Sequence, residues 1–131
     1  MPFLEASFSV VLATILCFLI KGITSWRNDG AFHPFGLGGM PSAHSTAAGA
    51  LAAAVFFETG WSVLFLVTVV FGVLVVRDAY GVRWEVTRHS VALNKLTKGE
   101  TYLRTGHTRW EAIVGVALGV IVTLVVYGVW A

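Results

Sequence analysis

Three short runs set histidine beside hydroxyls, carboxylates and guanidinium groups. The first is Gly36-Leu-Gly-Gly-Met-Pro-Ser-Ala-His-Ser45. Its glycines permit tight backbone turns, and Pro41 suits the opening of a helix. A helix beginning there turns N–H groups without intrahelical partners, and its positive dipole end, toward the preceding loop. With the Ser42 hydroxyl and the His44 imidazole in the first turn, the run describes an oxyanion or phosphate cradle with a proton donor built in. It equally describes a helix cap whose histidine sits at headgroup level.

The second run is Arg104-Thr-Gly-His-Thr-Arg-Trp-Glu111. His107 and Glu111 are four apart. A carboxylate that fixes an imidazole makes histidine a competent nucleophile or base. Thr108-x-x-Glu111 is also a capping box, which needs no chemistry at all. The third run is Arg77-Asp-Ala-Tyr-Gly-Val-Arg83. There Asp78 and Arg83 form either a local salt bridge or a phosphate-binding guanidinium steadied by its carboxylate. His44, Asp78, His107 and Glu111 also contain the donor types of a metal site, although hard cations prefer oxygen.

Something must bring these runs together, and the composition says what. The 131 residues are 56% hydrophobic and 12% charged, with a mean hydropathy of +0.79. Soluble domains carry about twice that share of charge, and a domain this small cannot hide so much apolar surface from water. We expect a single integral membrane domain over residues 1–131. The one cysteine, Cys17, excludes an intramolecular disulfide. No basic stretch or cleavage site marks the start as a secretory signal, so the first apolar run reads as a retained helix.

Four apolar segments are visible: Phe3–Ile20, Ser42–Phe57, Trp61–Val76 and Ala112–Ala131. The first, third and fourth reach the length of a span. The second is short and built of small side chains, which places it at the centre of a bundle, where backbones pack closely. Gly115-x-x-x-Gly119 is a second small-residue face, for packing within the chain or, in a homo-oligomer, between chains. Residues 21–41 show no period. Within 77–110, Val82, Val86, His89, Leu93 and Leu96 share one helical face, an interfacial amphipathic helix. The expected fold is an all-α polytopic membrane bundle of four transmembrane helices plus that interfacial helix.

Four spans put both polar stretches on one side and both termini on the other. All nine basic residues (Lys21, Arg27, Arg77, Arg83, Arg88, Lys95, Lys98, Arg104 and Arg109) fall on the polar side, opposite Glu5 and Glu58. By the positive-inside rule that side is cytoplasmic and the termini are not, in a multi-pass cell-membrane protein. A basic face at the headgroups favours anionic lipid or phosphate as partner. Nothing in the chain points to nucleic acid.

Gly38-Gly-Met-Pro-Ser-Ala-His-Ser45, Asp78-Ala-Tyr-Gly-Val-Arg83 and Gly106-His-Thr-x-x-Glu111 resemble the divergent branch of the type-2 phosphatidic acid phosphatase and vanadium haloperoxidase superfamily. The resemblance runs in order through nearly the whole chain. It implies a membrane phosphatase acting on a lipid phosphate or diphosphate through a phosphohistidine, with no metal or other cofactor. Carried over, His107 is the nucleophile, Glu111 its orienting carboxylate and His44 the general acid. Ser42, the Ala43 N–H, Lys21, Arg83 with Asp78, and Arg104 would bind the phosphoryl group, and Arg27 stands near a family arginine. The chain departs from the pattern at Thr101, where an arginine is usual, at Ala43 for glycine and at Glu111 for aspartate. The upstream element also lacks its Arg-Pro ending.

Overall fold

A computed structural model describes residues 2–36, 39–97 and 106–130. They form five α-helices and, among the described residues, no strand: α1 Pro2–Asp29, α2 Ala43–Thr59, α3 Val63–Tyr80, α4 Val82–Thr97 and α5 Arg109–Trp130. Phe3–Asn28, Val63–Thr97 and Arg109–Trp130 are long and apolar enough to cross a membrane. The all-helical membrane fold is as the sequence implied.

α2 holds the centre and touches α1, α3 and α5. Its 17 residues make a helix roughly 25 Å long, yet it accompanies α5 from one end of the bundle to the other. At one end Gly115 lies against Ser42; at the other, the Tyr127 hydroxyl donates to Glu58 (2.5 Å). The contact is close because the facing residues are small. A Cβ at Gly115 would stand 2.6 Å from Ser42 O, and one at Gly119 would collide with the Thr46 carbonyl. The Gly-x-x-x-Gly face is therefore used inside the chain, between α5 and α2.

The interior is built of small and hydroxyl side chains. Ser9, Ala13 and Cys17 are fully buried and Lys21 is 7% exposed, so one i, i+4 stripe of α1 faces the bundle. Ala13, Ala50, Val122 and Val126 join α1, α2 and α5 in one apolar cluster. Buried Thr46 and Thr123 return their hydroxyls to helix carbonyls, Thr46 to Ser42 O (2.9 Å) and Thr123 to Gly119 O (3.0 Å). Among the described residues no buried side-chain N or O lacks a partner, as a low-dielectric interior requires. Large apolar side chains point outward instead, Leu66, Phe71 and Leu74 among them. Such a surface suits lipid as its solvent.

α1 corrects one expectation. It continues past Ile20 to Asp29, through residues that show no apolar period. A helix can continue without an apolar period on its own ladder and local hydroxyl bonds. Thr24 bonds Lys21 O (2.9 Å), Ser25 bonds Gly22 O (2.9 Å), and Gly30 ends the helix at φ 73°. α4 follows α3 after Gly81 alone and touches no other helix. Its apolar stripe is turned outward, with Val86 50% and Leu96 82% exposed.

The helices alternate so that the C-terminal ends of α1 and α3 meet the N-terminal ends of α2 and α5. Phe8 against Trp130 and Phe56 against Phe65 fix the opposite end. Every chemistry-bearing residue singled out above and described by the structure belongs to the first of these two ends.

Candidate active site

Four elements converge on His107. Its backbone N–H donates to Ala79 O at the end of α3 (2.9 Å). The preceding Gly106 N–H donates to Thr87 Oγ1 on α4 (3.1 Å). Gly106 must lack a side chain, because a Cβ there would stand 2.6 Å from the Arg83 carbonyl carbon and collide with Trp84 backbone. The His107 ring, 6% exposed, has Nδ1 at 3.0 Å from Gly39 O and 3.4 Å from Glu111 Oε2. The loop before α2 and the first turn of α5 thus hold one nitrogen of the ring from two sides.

Those partners settle the tautomer. A carbonyl oxygen only accepts, so Nδ1 carries the proton and the lone pair is left on Nε2. Burial of the ring holds its pKa below the ordinary 6.5, and the Lys21 charge pushes the same way. The Glu111 charge and the Gly39 bond oppose both. The net effect is an imidazole that is neutral at physiological pH, with its lone pair on Nε2.

Glu111 serves the helix and the histidine with one oxygen. The Thr108 N–H donates to its Oε2 (2.9 Å), and the Glu111 N–H donates to Thr108 Oγ1 (3.2 Å). This is the reciprocal capping box the sequence spelled out. His107 precedes α5, so it meets Glu111 across the cap and not along a helical face.

On α2, Ser42 is fully buried. Its Oγ accepts from the Ser45 N–H (3.4 Å) and hydroxyl (3.1 Å), and its own N–H donates to Glu111 O (3.2 Å). Ser42 is thus the N-cap and ties α2 to α5. Ala43 and His44 are the first two helical residues, whose N–H groups have no acceptor within the helix. His44 is exposed. Asp78 accepts from Arg83 Nε (2.8 Å), with both side chains about two-fifths exposed. The charges of Arg83, Asp78 and Lys21 all act on His44.

Lys21 is the link between the two histidines, since its charge acts on both. Its Cε passes 3.7 Å from the Cβ position of Gly39, whose carbonyl holds His107. Arg27 lies beyond on α1 and is exposed. Arg104 and Thr101 lie outside the described residues. Among the described residues no three His, Cys, Asp or Glu side chains gather as metal ligands would.

A cleft of about 480 Å³ opens at His107, lined also by Tyr80, Gly81, Trp84, Glu85, Thr108 and Arg109. Neither His44 nor Ser42 borders it. Tyr80, Trp84, Thr87 and the Gly39 carbonyl were not singled out from the sequence. A backbone acceptor has no side-chain signature. Thr87 and Trp84 are ordinary helix residues until Gly106 docks on them.

Comparison with known proteins adds the identity of the scaffold. The "Uncharacterized membrane protein YuiD" of Bacillus subtilis (strain 168) is 35% identical over 96 residues, which make up 72% of this chain and 60% of that protein. The chain therefore matches less than two thirds of its relative's length. No solved structure matches the chain. The Divergent PAP2 family matches residues 1–122, a stretch that contains α1 to α4, the first part of α5 and all three histidine and arginine motifs, and the chain belongs to that family.

Proposed function

We propose that the protein hydrolyses a lipid phosphate or diphosphate at the cytoplasmic headgroup level, through a phosphohistidine on His107. The observation that carries this reading is the fixing of His107 Nδ1 by Gly39 O and Glu111 Oε2, which leaves the lone pair on Nε2, and to that nitrogen we assign the attack. In the first step Nε2 attacks phosphorus, an N–P bond forms and the P–O bond to the lipid breaks. The departing oxygen takes a proton from protonated His44. In the second step water attacks phosphorus, gives its proton to His44, and the N–P bond breaks to release inorganic phosphate. Lys21, the Arg83–Asp78 pair, Arg104 and the N–H groups of Ala43 and His44 are assigned to the phosphoryl oxygens, where fixed donors act in a low dielectric. Ser42 is assigned to keeping that helix end in place.

α2 serves in this reading as a fourth crossing, α4 as a helix lying in the interface, and the basic end as the cytoplasmic one. The decisive assay compares wild type with His107→Ala in lipid nanodiscs over phosphatidic acid and prenyl diphosphates, with and without chelator. Loss of turnover together with an acid-labile phosphohistidine in the wild type is expected. Unchanged turnover in His107→Ala would remove the nucleophile, and turnover sensitive to chelator would favour a metal-dependent enzyme. A binding or transport role that needs Lys21 but not His107 is the second reading. It is favoured by the cleft at His107, which His44 does not border.

A further inference from the structure

Glycines at the α2–α5 contact are demanded by packing; Gly72 on α3 is not. A Cβ at Gly49 would stand 2.6 Å from Val116 O, whereas one at Gly72 would meet nothing nearer than Ala48 Cβ at 3.7 Å. The missing side chain leaves space instead of closing a contact. That space is a groove of about 260 Å³ floored by Ala48 and Ala52 of α2, with Gly72 and Val76 on one wall and Val116 of α5 on the other. α3 and α5 touch only slightly, so the groove lies open between them on the flank of the bundle. Its lining is apolar except at one end, where it reaches Tyr80, and Tyr80 also lines the cleft at His107.

The length is informative. From Val69 to Tyr80 the groove follows α3 for roughly 16 Å, about half of a hydrocarbon layer some 30 Å thick. It is one leaflet deep and ends beside the cleft at His107. We propose that this groove holds one hydrocarbon chain of the lipid phosphate, admitted sideways from the bilayer between α3 and α5, with Tyr80 at the junction of chain and headgroup. The inference rests on the reading above for the phosphate and adds the chain.

The test uses the full chain in phosphatidylcholine nanodiscs and an alkyl phosphate carrying a mid-chain diazirine. After photolysis, mass spectrometry should find label concentrated on Val76 and Val116 over the outward Leu74. Excess unlabelled alkyl phosphate should compete, and the matching alcohol should not. Gly72→Leu and Ala52→Leu should each cut labelling roughly tenfold, since a leucine displaces about two methylenes of chain; Gly72→Ala, which fits, is the folded control. Even labelling around the bundle, equal competition by the alcohol, or no change in both leucine variants would overturn the groove. Groove labelling without turnover of any lipid phosphate would keep the groove and remove the hydrolysis.

Discussion

Glu111 Oε2 stands 3.4 Å from His107 Nδ1 while accepting the Thr108 N–H at 2.9 Å. One carboxylate oxygen therefore both begins α5 and orients the imidazole. The cap and the orientation of the ring meet at this atom, so a single substitution must be chosen to separate them. Three groups from three elements, Glu111, Gly39 and Lys21, then decide how the ring is held and charged.

Glu111→Gln keeps an acceptor for Thr108 but removes the charge that steadies an imidazole becoming cationic. Turnover should fall by roughly a hundredfold or more, with thermal stability nearly unchanged. Glu111→Ala should lose a similar factor and also about 1 kcal/mol of stability from the cap. Parallel turnover and melting measurements in detergent check both. Equal activity of Glu111→Gln and wild type would reduce Glu111 to a cap.

The acid limb of the pH–rate profile should lie below pH 6.5. Attack requires neutral His107, and burial followed by the Lys21 charge lowers its pKa. Removing that charge in Lys21→Met takes away one lowering cause, so the limb should move to higher pH. A ring-nitrogen NMR titration of His107 reads the same shift without any substrate. The sign for stability follows. His107 contributes fully above pH 6.5, and its contribution declines as pH falls toward the lower folded value. A limb that moved to lower pH in Lys21→Met would contradict the electrostatics.

Much of this was legible in the sequence because hydropathy reports lipid contact directly. The small residues from Ser45 to Ala54 announced a central helix, and Thr108-x-x-Glu111 announced a cap. Two features were hidden for physical reasons. The helix from Lys21 to Asp29 is held by its own ladder and by Thr24 and Ser25 hydroxyls, which leave no apolar period. The Gly39 carbonyl is backbone, and it acts only because a loop from one part of the chain meets a histidine 68 residues away. Ser42 shows the opposite case: its type suited a phosphate ligand, while its surroundings, fully buried against Ser45 and Glu111, commit it to a cap.

Glycine-to-alanine changes should separate contact from space. Gly115→Ala drives a Cβ to 2.6 Å from Ser42 O, and backbone cannot yield cheaply, so a loss of about 1–3 kcal/mol is expected. Because Ser42 is bonded to Glu111, His107 should loosen as well and activity should drop further than stability. Gly72→Ala meets only Ala48 Cβ at 3.7 Å and should stay within about 0.5 kcal/mol of wild type. Chemical or thermal unfolding in micelles decides this, and equal costs at the two sites would refute the packing described.

Cysteine labelling should decide topology and orientation together. Cys17 is fully buried, so the wild-type chain offers an impermeant maleimide a silent background. Thr59 and Asn28 are both exposed, Thr59 at the far end of α2 and Asn28 in the last turn of α1 at the basic end. If α2 crosses and the basic end is cytoplasmic, Thr59→Cys in intact cells reacts from outside, and Asn28→Cys reacts only after the membrane is opened. Reaction of both from the same side would mean that α2 does not cross, and the reverse pattern would put the His107 cleft on the outer face. The second result would leave the geometry at His107 untouched but would move its substrate to the outer leaflet, because the groove and cleft share Tyr80 and must open to the same layer of lipid.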